Sequence, residues 1–167
     1  MNSLLLIAHQ LEATSVGTAI AEGRYAFPII EGIHLIGLSL AVGLLLLTDL
    51  RLMGLFLPDV PVKDLHRQLQ PYVLGGFGLI ILAGGLLFLS EAATVIVSPP
   101  WPFKFLFIGL GGINALYFEF VIARRAEALP DRGPLPLPVR AAGFASLSLW
   151  VLVIICGRLI PYIPQWS

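Results

Sequence analysis

The chain has 167 residues, of which 57% are hydrophobic and 12% charged, and its mean hydropathy is +0.91. A water-soluble domain carries about 25% charged residues, so this composition excludes an ordinary water-soluble exterior and indicates that lipid surrounds most of the surface. Ten basic and ten acidic residues balance, which excludes the basic surface of a nucleic-acid-binding protein. The single cysteine, Cys156, excludes an internal disulfide and a cysteine-clustered metal site.

The first segment, residues 3–22, is predicted to form a short amphipathic helix. Its apolar positions alternate loosely with His9, Gln10, Glu12 and Thr14. Such a helix either lies in the membrane interface or packs over the mouth of a helical bundle. No Lys or Arg precedes the apolar stretch, so we interpret the segment as part of the mature protein and not as a signal peptide.

Four further segments reach the length of about 20 apolar residues that a helix needs to cross a bilayer. They cover residues 28–48, 72–90, 103–123 and 141–160, and prolines or charges lie near their ends. Helices are expected because they satisfy every backbone polar group internally, and the alternation typical of a membrane β-barrel is absent. The sequence therefore predicts an all-α integral membrane four-helix bundle, with residues 1–167 forming a single transmembrane domain and the N-terminal amphipathic helix at the interface.

The basic residues predict the orientation of this bundle. Seven lie on the side of the connections 49–71 and 121–140, namely Arg51, Lys63, Arg67, Arg124, Arg125, Arg132 and Arg140. Only three lie on the opposite side, namely Arg24, Lys104 and Arg158. Because cytoplasmic loops carry the excess of Lys and Arg, both connections are predicted to be cytoplasmic and both termini periplasmic in a bacterial inner membrane.

Polar residues within the spans fall into two layers. The outer layer contains Glu31, His34, Glu91, Lys104 and Arg158; the inner layer contains Asp49, Arg51, Asn114, Glu119, Arg124 and Arg140. An ionisable group inside a membrane costs about 2.5–3.5 kcal/mol or more, so such groups usually face partners within the bundle. We expect opposite charges to pair across helices, with Lys104 or Arg158 meeting Glu31 or Glu91, and so to fix the helix register.

His34 is the histidine that lies well inside a predicted span. Glu31 precedes it by three residues and shares its helix face, so the carboxylate can orient the imidazole. His34 is either a hydrogen-bonding core residue or a haem b ligand, with His9 as the second ligand. His66 is predicted to lie in a solvated loop or helix start beyond the inner end of the first span, which rises about 22 Å from His34 to Asp49, too far to share an iron. Two histidines and Glu31 are too few for a typical zinc site, so no metal site is predicted.

Several motifs together resemble a family of small four-helix bacterial membrane proteins classed as a domain of unknown function. They are "LEAT" (11–14), "FPIIEGIHLIGLSL" (27–40), "DLRLMG" (49–54), "LLFLSEA" (86–92) and the Pro, Lys and Asn layout of "PPWPFKFLFIGLGGINALYFE" (99–119). The resemblance implies a bacterial inner-membrane location and no particular activity. It matches recurring family positions at Glu31, His34, Asp49, Arg51, Glu91, Lys104 and Asn114. Many relatives carry histidine where this chain has Glu119.

Three functions are compatible with these residues. The first is a structural or accessory membrane subunit, held in the lipid bilayer beside further copies or other membrane subunits, whose polar layers lock its helices. The second is a small haem b or other redox protein that uses His34. The third is a proton or small-solute conduit with Glu31, His34 and Glu91 as relay groups. No nucleophile–base set, phosphate loop or cofactor fingerprint is present, so an enzyme of the soluble type is not expected.

Overall fold

The computed structural model describes residues 2–123, 129 and 135–163. Within these residues the chain forms six α-helices and one turn of π-helix, and it contains no strand, which confirms the prediction of an all-α fold. The helices are α1 (Asn2–Glu12), α2 (Ser15–Glu22), α3 (Ala26–Met53), α4 (Val62–Ile96), α5 (Pro100–Tyr117), which continues into the π-helical turn Phe118–Ile122, and α6 (Leu137–Leu159).

Four of these helices are long and apolar enough to cross a membrane. They are α3, α4, α5 with its π-helical turn, and α6. In the most apolar stretch of each helix only 11–28% of the residues are buried inside the protein. Large apolar side chains therefore cover the outside of these helices. The predicted number of long apolar helices is confirmed within the described residues.

The second long helix differs from the prediction. Residues 72–90 were expected as the span, with Pro71 as its boundary, whereas α4 continues through Pro71 from Val62 to Ile96. A proline within a helix removes one hydrogen bond and crowds the preceding turn. Here tertiary contacts hold the extra turns: Val62 is buried, and His66 bonds a side chain of the third long helix.

The long helices pack in the order α4, α3, α6, α5. Helix α3 contacts α4 and α6, α6 contacts α5, and α4 and α5 have no extensive backbone contact with each other. Glycines allow the close approaches. A Cβ at Gly76 of α4 would lie 2.7 Å from the Ala41 nitrogen of α3, and one at Gly143 of α6 would lie 2.9 Å from the Asp49 carbonyl oxygen. Such close approach of backbones at small residues is typical of helices that associate in lipid.

The N-terminal segment does not form the single helix predicted over residues 3–22. It forms α1 and α2, which are bent by 69° relative to each other, and both pack against α4. The segment therefore packs on the bundle, against α4. Taken together, α1 and α2 also have the length and hydropathy of a broken span or a re-entrant loop.

A kink in α4 explains how α1 and α2 are held. Glu91 has φ −139° and ψ 27°, outside the helical region, so the backbone hydrogen bonding of α4 is interrupted there. The Ala93 N–H beyond the kink donates to Glu12 Oε1 of α1 at 2.8 Å. Gly17 of α2 lies so close to the Leu89 carbonyl that an added Cβ would be 2.7 Å from its oxygen. We call this end of the molecule, which contains Glu12, Glu31, His34, Glu91 and Lys104, the kink end.

Candidate functional site

A cavity of about 470 Å³ lies at the opposite end of the long helices, between α3, α4, α5 and α6. Ligand pockets in proteins commonly enclose about 300–1,000 Å³. Most of the lining is apolar, and the polar side chains among the lining residues are Thr48, Asp49, His66, Gln70, Asn114, Glu119 and Ser146. We call this end of the molecule the cavity end. The lining of the cavity has the composition of a pocket that holds an apolar molecule with a polar group.

The cavity opens where α4 and α5 are not packed together. Leu74 of α4 and Leu116 of α5 both line it, and 62% and 57% of their surfaces are exposed. These two residues form the mouth of the cavity. A molecule that enters here passes between two apolar side chains.

A cluster of buried apolar residues packs the helices together at the cavity end. It joins the end of α3, the start of α4, the π-helical turn and the start of α6. Its members are Leu52, Val62, Ile122, Leu135, Val139 and Ala142. The apolar contacts between these elements hold the polar lining residues at fixed positions.

Side-chain hydrogen bonds bridge α4 and the π-helical turn across the gap between α4 and α5. His66 Nε2 donates to Glu119 Oε2 at 3.2 Å, and Gln70 Nε2 donates to the same oxygen at 3.3 Å. The His66 ring also meets the Phe118 ring edge to face, with centroids 5.2 Å apart. The π-helical turn begins at Phe118, and such turns are frequent at functional sites. We call these hydrogen bonds the His66–Glu119 bridge.

The placement of His66 corrects the sequence prediction. His66 was expected in a solvated loop or helix start, but it lies on α4, only 23% of its side chain is exposed, and it lines the cavity. The helix start is confirmed, since His66 is the fifth residue of α4, whereas the solvated position is wrong because Pro71 was interpreted as a helix boundary. Had the helix been continued through Pro71, the four-residue spacing of His66 and Gln70 would have placed both on one face.

Asp49 is the most buried acidic group of the cavity, with 3% of its surface exposed. The Ser146 hydroxyl of α6 lies within hydrogen-bonding reach of its carboxylate. Within the described part of the chain Asp49 forms no ion pair. Asn114 Nδ2 on α5 donates to the Ala142 carbonyl of α6 at 3.1 Å. Asp49 of α3 and Asn114 of α5 therefore both meet α6, at Ser146 and Ala142, which lie one helical turn apart.

Arg51, which the sequence placed in the same layer, has a different position. Its side chain is fully buried, and Nε donates to the Val60 carbonyl at 2.6 Å, across the connection between α3 and α4. Arg51 does not line the cavity. Of the other inner-layer residues, Arg140 is exposed near the start of α6, and Arg124 lies outside the described residues.

The kink end does not form the predicted ion pairs. Among the residues that the structure describes, neither Lys104 nor Arg158 pairs with Glu31 or Glu91. Arg158 instead donates from Nη2 to the Tyr162 hydroxyl at 3.0 Å, and its guanidinium lies over the Tyr162 ring. The expectation of ion pairs is therefore wrong for these residues.

Glu31, Glu91 and Arg158 have exposed side chains, whereas Lys104 is half-buried beside Gly157 of α6. A Cβ on Gly157 would lie 3.4 Å from Lys104 Nζ. Side chains that point away from the bundle are not withdrawn among other helices, so none of the three exposed residues forms a buried pair across helices with another described residue.

His34 occupies the contact between α3 and α4. Its Nδ1 donates to the Ile80 carbonyl of α4 at 3.1 Å, and its ring lies so close to Gly84 that an added Cβ there would be 3.0 Å from Cε1. This geometry is that of a hydrogen-bonding core residue. His9 lies on α1, where Nδ1 is 3.4 Å from Glu12 Oε2 and 64% of its side chain is exposed.

No described contact joins His9 to His34, and the haem hypothesis stays a prediction. In the ranges that the structure describes, no group of three or more His, Cys, Asp or Glu residues is arranged to hold a metal ion.

Comparisons of the chain with protein families, with curated proteins and with solved structures found no match. The function is therefore inferred from the geometry of the chain itself.

Proposed function

We propose that the protein is a multi-pass membrane protein that binds an apolar small molecule, taken up from the lipid phase, in the cavity between α3, α4, α5 and α6. The observation that carries this proposal is the cavity, with its volume of about 470 Å³, its mainly apolar lining and its polar groups. Its mouth between Leu74 and Leu116 is apolar and lies on the side of the bundle, so a molecule dissolved in lipid has a direct route into it.

The four long apolar helices with outward-facing apolar side chains support the membrane location. We further propose a bacterial inner membrane, on the resemblance described above. Four spans put both termini on one side, and the excess of basic residues near the cavity end favours a cytoplasmic position for that end. Both termini are then periplasmic.

The kink end has a structural role in this proposal. Glu12 and His34 bond backbone groups of α4, and these bonds hold α1 and α3 against α4. This role corresponds to the helix-locking function predicted for the polar layers. It uses side chain–backbone hydrogen bonds in place of the expected ion pairs.

Cysteine labelling tests the orientation. In a Cys156→Ser background, Glu22→Cys and Asp59→Cys introduce single thiols at exposed positions at opposite ends of the molecule. A membrane-impermeant maleimide applied to intact cells is expected to label position 22, and to label position 59 only after the membrane is disrupted. The Cys156→Ser protein without a new cysteine is the control, and labelling of position 59 alone in intact cells would overturn the orientation.

Tryptophan fluorescence tests the binding. Trp150 lines the cavity, and in a Trp101→Phe, Trp166→Phe background it is the remaining tryptophan. We expect 4-bromobiphenyl, an uncharged aromatic quencher, to quench Trp150 saturably in detergent micelles. Gly112→Leu, which places a side chain in the cavity, is expected to abolish saturation, and Gly109→Leu, on the same helix but outside the cavity, is expected to preserve it. Quenching that is linear and equal in all three proteins would contradict the proposal.

A further inference from the structure

The cavity contains two carboxylates, of Asp49 and Glu119, whose negative charge a purely apolar ligand would not compensate. We propose that its ligand is a lipophilic cation, that is, an aromatic or aliphatic molecule that carries a protonated amine, a quaternary ammonium or a phosphonium group. This inference rests on the proposed function, because it assigns a chemical class to the ligand of the same cavity.

The ionisable groups that line the cavity favour a cation. They are Asp49, Glu119 and His66, and no Lys or Arg is present among the described lining residues. A carboxylate withdrawn from water is destabilised unless hydrogen bonds or an opposite charge compensate it. Asp49 is almost fully buried, and the Ser146 hydroxyl lies near its carboxylate. A cation in the cavity supplies the opposite charge, whereas an anion would be repelled by both carboxylates.

Glu119 has one oxygen available for such a ligand. His66 and Gln70 both donate to Oε2, and Oε1 accepts no hydrogen bond from the described residues. The side chain is 44% exposed, so it can be reached from the cavity without breaking the His66–Glu119 bridge. Hydrogen bonds between charged partners are about twice as strong as those between neutral ones, so Oε1 is the natural site for an ammonium donor.

Aromatic rings supply a second feature that suits a cation. Phe77 of α4 and Trp150 of α6 line the cavity with their ring centroids 4.8 Å apart, and Phe118 lines it beside His66. The faces of Trp and Phe attract cations, and this attraction is larger where water is excluded. The same rings pack favourably against an apolar or aromatic ligand body. The lining thus combines apolar surface, aromatic faces and carboxylates within one cavity.

A competition experiment tests the charge of the ligand. In micelles of an uncharged detergent, tetraphenylphosphonium, tetraphenylborate and triphenylphosphine oxide are titrated against 4-bromobiphenyl bound beside Trp150. The first two ions have the same shape and opposite charge, and the third is uncharged. We expect tetraphenylphosphonium, which donates no hydrogen bond, to displace the quencher at a concentration lower than the other two by about tenfold or more, as the attraction between a cation and carboxylates withdrawn from water predicts.

Charge-removing variants assign the preference to residues. Asp49→Asn and Glu119→Gln are each expected to reduce the preference for tetraphenylphosphonium severalfold and to leave displacement by triphenylphosphine oxide unchanged. Glu31→Gln, which removes an exposed carboxylate at the kink end, is the matched control and should leave the preference unchanged. Because Glu119 is partly exposed, its variant is expected to fold even where Asp49→Asn does not, and saturable quenching by 4-bromobiphenyl reports folding in each case.

The outcomes separate the two proposals. Equal displacement by all three competitors, with saturable and Gly112-sensitive quenching, would overturn the cation inference and leave the proposed function in place. A cation preference that survives in both Asp49→Asn and Glu119→Gln would overturn the assignment of the carboxylates. Absence of saturable quenching and of Gly112-sensitive binding for every probe would overturn the proposed function itself.

Discussion

The two ends of the molecule use polar side chains in different ways. At the kink end, Glu12 accepts from the Ala93 N–H and His34 donates to the Ile80 carbonyl, so each side chain is joined to the backbone of α4. At the cavity end, His66 and Gln70 bond Glu119, and Asp49 faces Ser146, so side chains are joined to side chains around an open space.

The difference shows how a polar residue among apolar helices can be assigned a role. A side chain that satisfies a backbone group left unpaired by a kink compensates a structural defect, and its removal exposes that defect. A side chain whose partner is another side chain at a cavity wall can exchange that partner for a ligand. Four variant sets separate the two cases, beginning with the one for which we expect the largest effect.

Glycine substitutions at the two ends are expected to differ most. Gly17→Leu adds a side chain where even a Cβ would lie 2.7 Å from backbone oxygens, so it should lower the free energy of unfolding by about 3 kcal/mol or more. Gly112→Leu meets no atom within 4 Å at its Cβ, so it should change the free energy of unfolding by less than about 1 kcal/mol. Unfolding in mixed micelles with increasing sodium dodecyl sulfate measures both, and comparable destabilisation by the two variants would contradict the comparison.

Removal of the carboxylate at the kink should have the next largest effect. Glu12→Ala leaves the partly buried Ala93 N–H without its acceptor, and we expect a loss of about 1–3 kcal/mol in the free energy of unfolding. Glu12→Gln keeps an acceptor oxygen and should lose less. Glu22→Ala, an exposed glutamate on α2, is the control. If Glu12→Ala and Glu22→Ala are equally stable, the hydrogen bond to Ala93 does not hold α1 on α4.

The His66–Glu119 bridge should contribute less to stability than the Glu12 contact. His66→Ala removes one hydrogen-bond donor at a partly exposed site, so we expect a loss of about 0.5–1.5 kcal/mol. Gln70→Ala should have an equal or smaller effect, because its bond to the same oxygen is longer. The same detergent titration measures both variants. A loss larger than that of Glu12→Ala would mean that the bridge, and not the kink, is the main polar support of the fold.

Exposed charges at the kink end should have the smallest effect. Glu31→Gln and Arg158→Gln are each expected to change the free energy of unfolding by no more than about 0.5 kcal/mol, because both side chains are exposed and form no ion pair with each other. A Glu31→Arg, Arg158→Glu double variant should be no more stable than the single changes. If each single variant lost about 3–5 kcal/mol of the free energy of unfolding and the double variant regained it, the two residues would form a buried pair.

Much of the fold follows from residue type alone. The four long apolar helices and the all-α fold were predictable because a segment of about 20 apolar residues without strand alternation favours a helix wherever water is scarce. The glycines at helix crossings were predictable as a class. Which of them make close contacts was not: Gly76 and Gly75 are neighbours in "LGGFG", yet only Gly76 faces another helix within 4 Å.

The site depends on tertiary structure. The sequence indicated that Asp49, Asn114 and Glu119 lie near the same end, because position along a helix fixes depth to within a turn. It did not indicate that α4 continues through Pro71, which places His66 and Gln70 opposite Glu119, nor that α4 and α5 separate to leave a cavity. The partners of Glu12 and Arg158 were equally unpredictable. Depth is set by local hydrophobicity along one helix, whereas partners are set by helix rotation and by the gaps that packing leaves, and these depend on all the helices together.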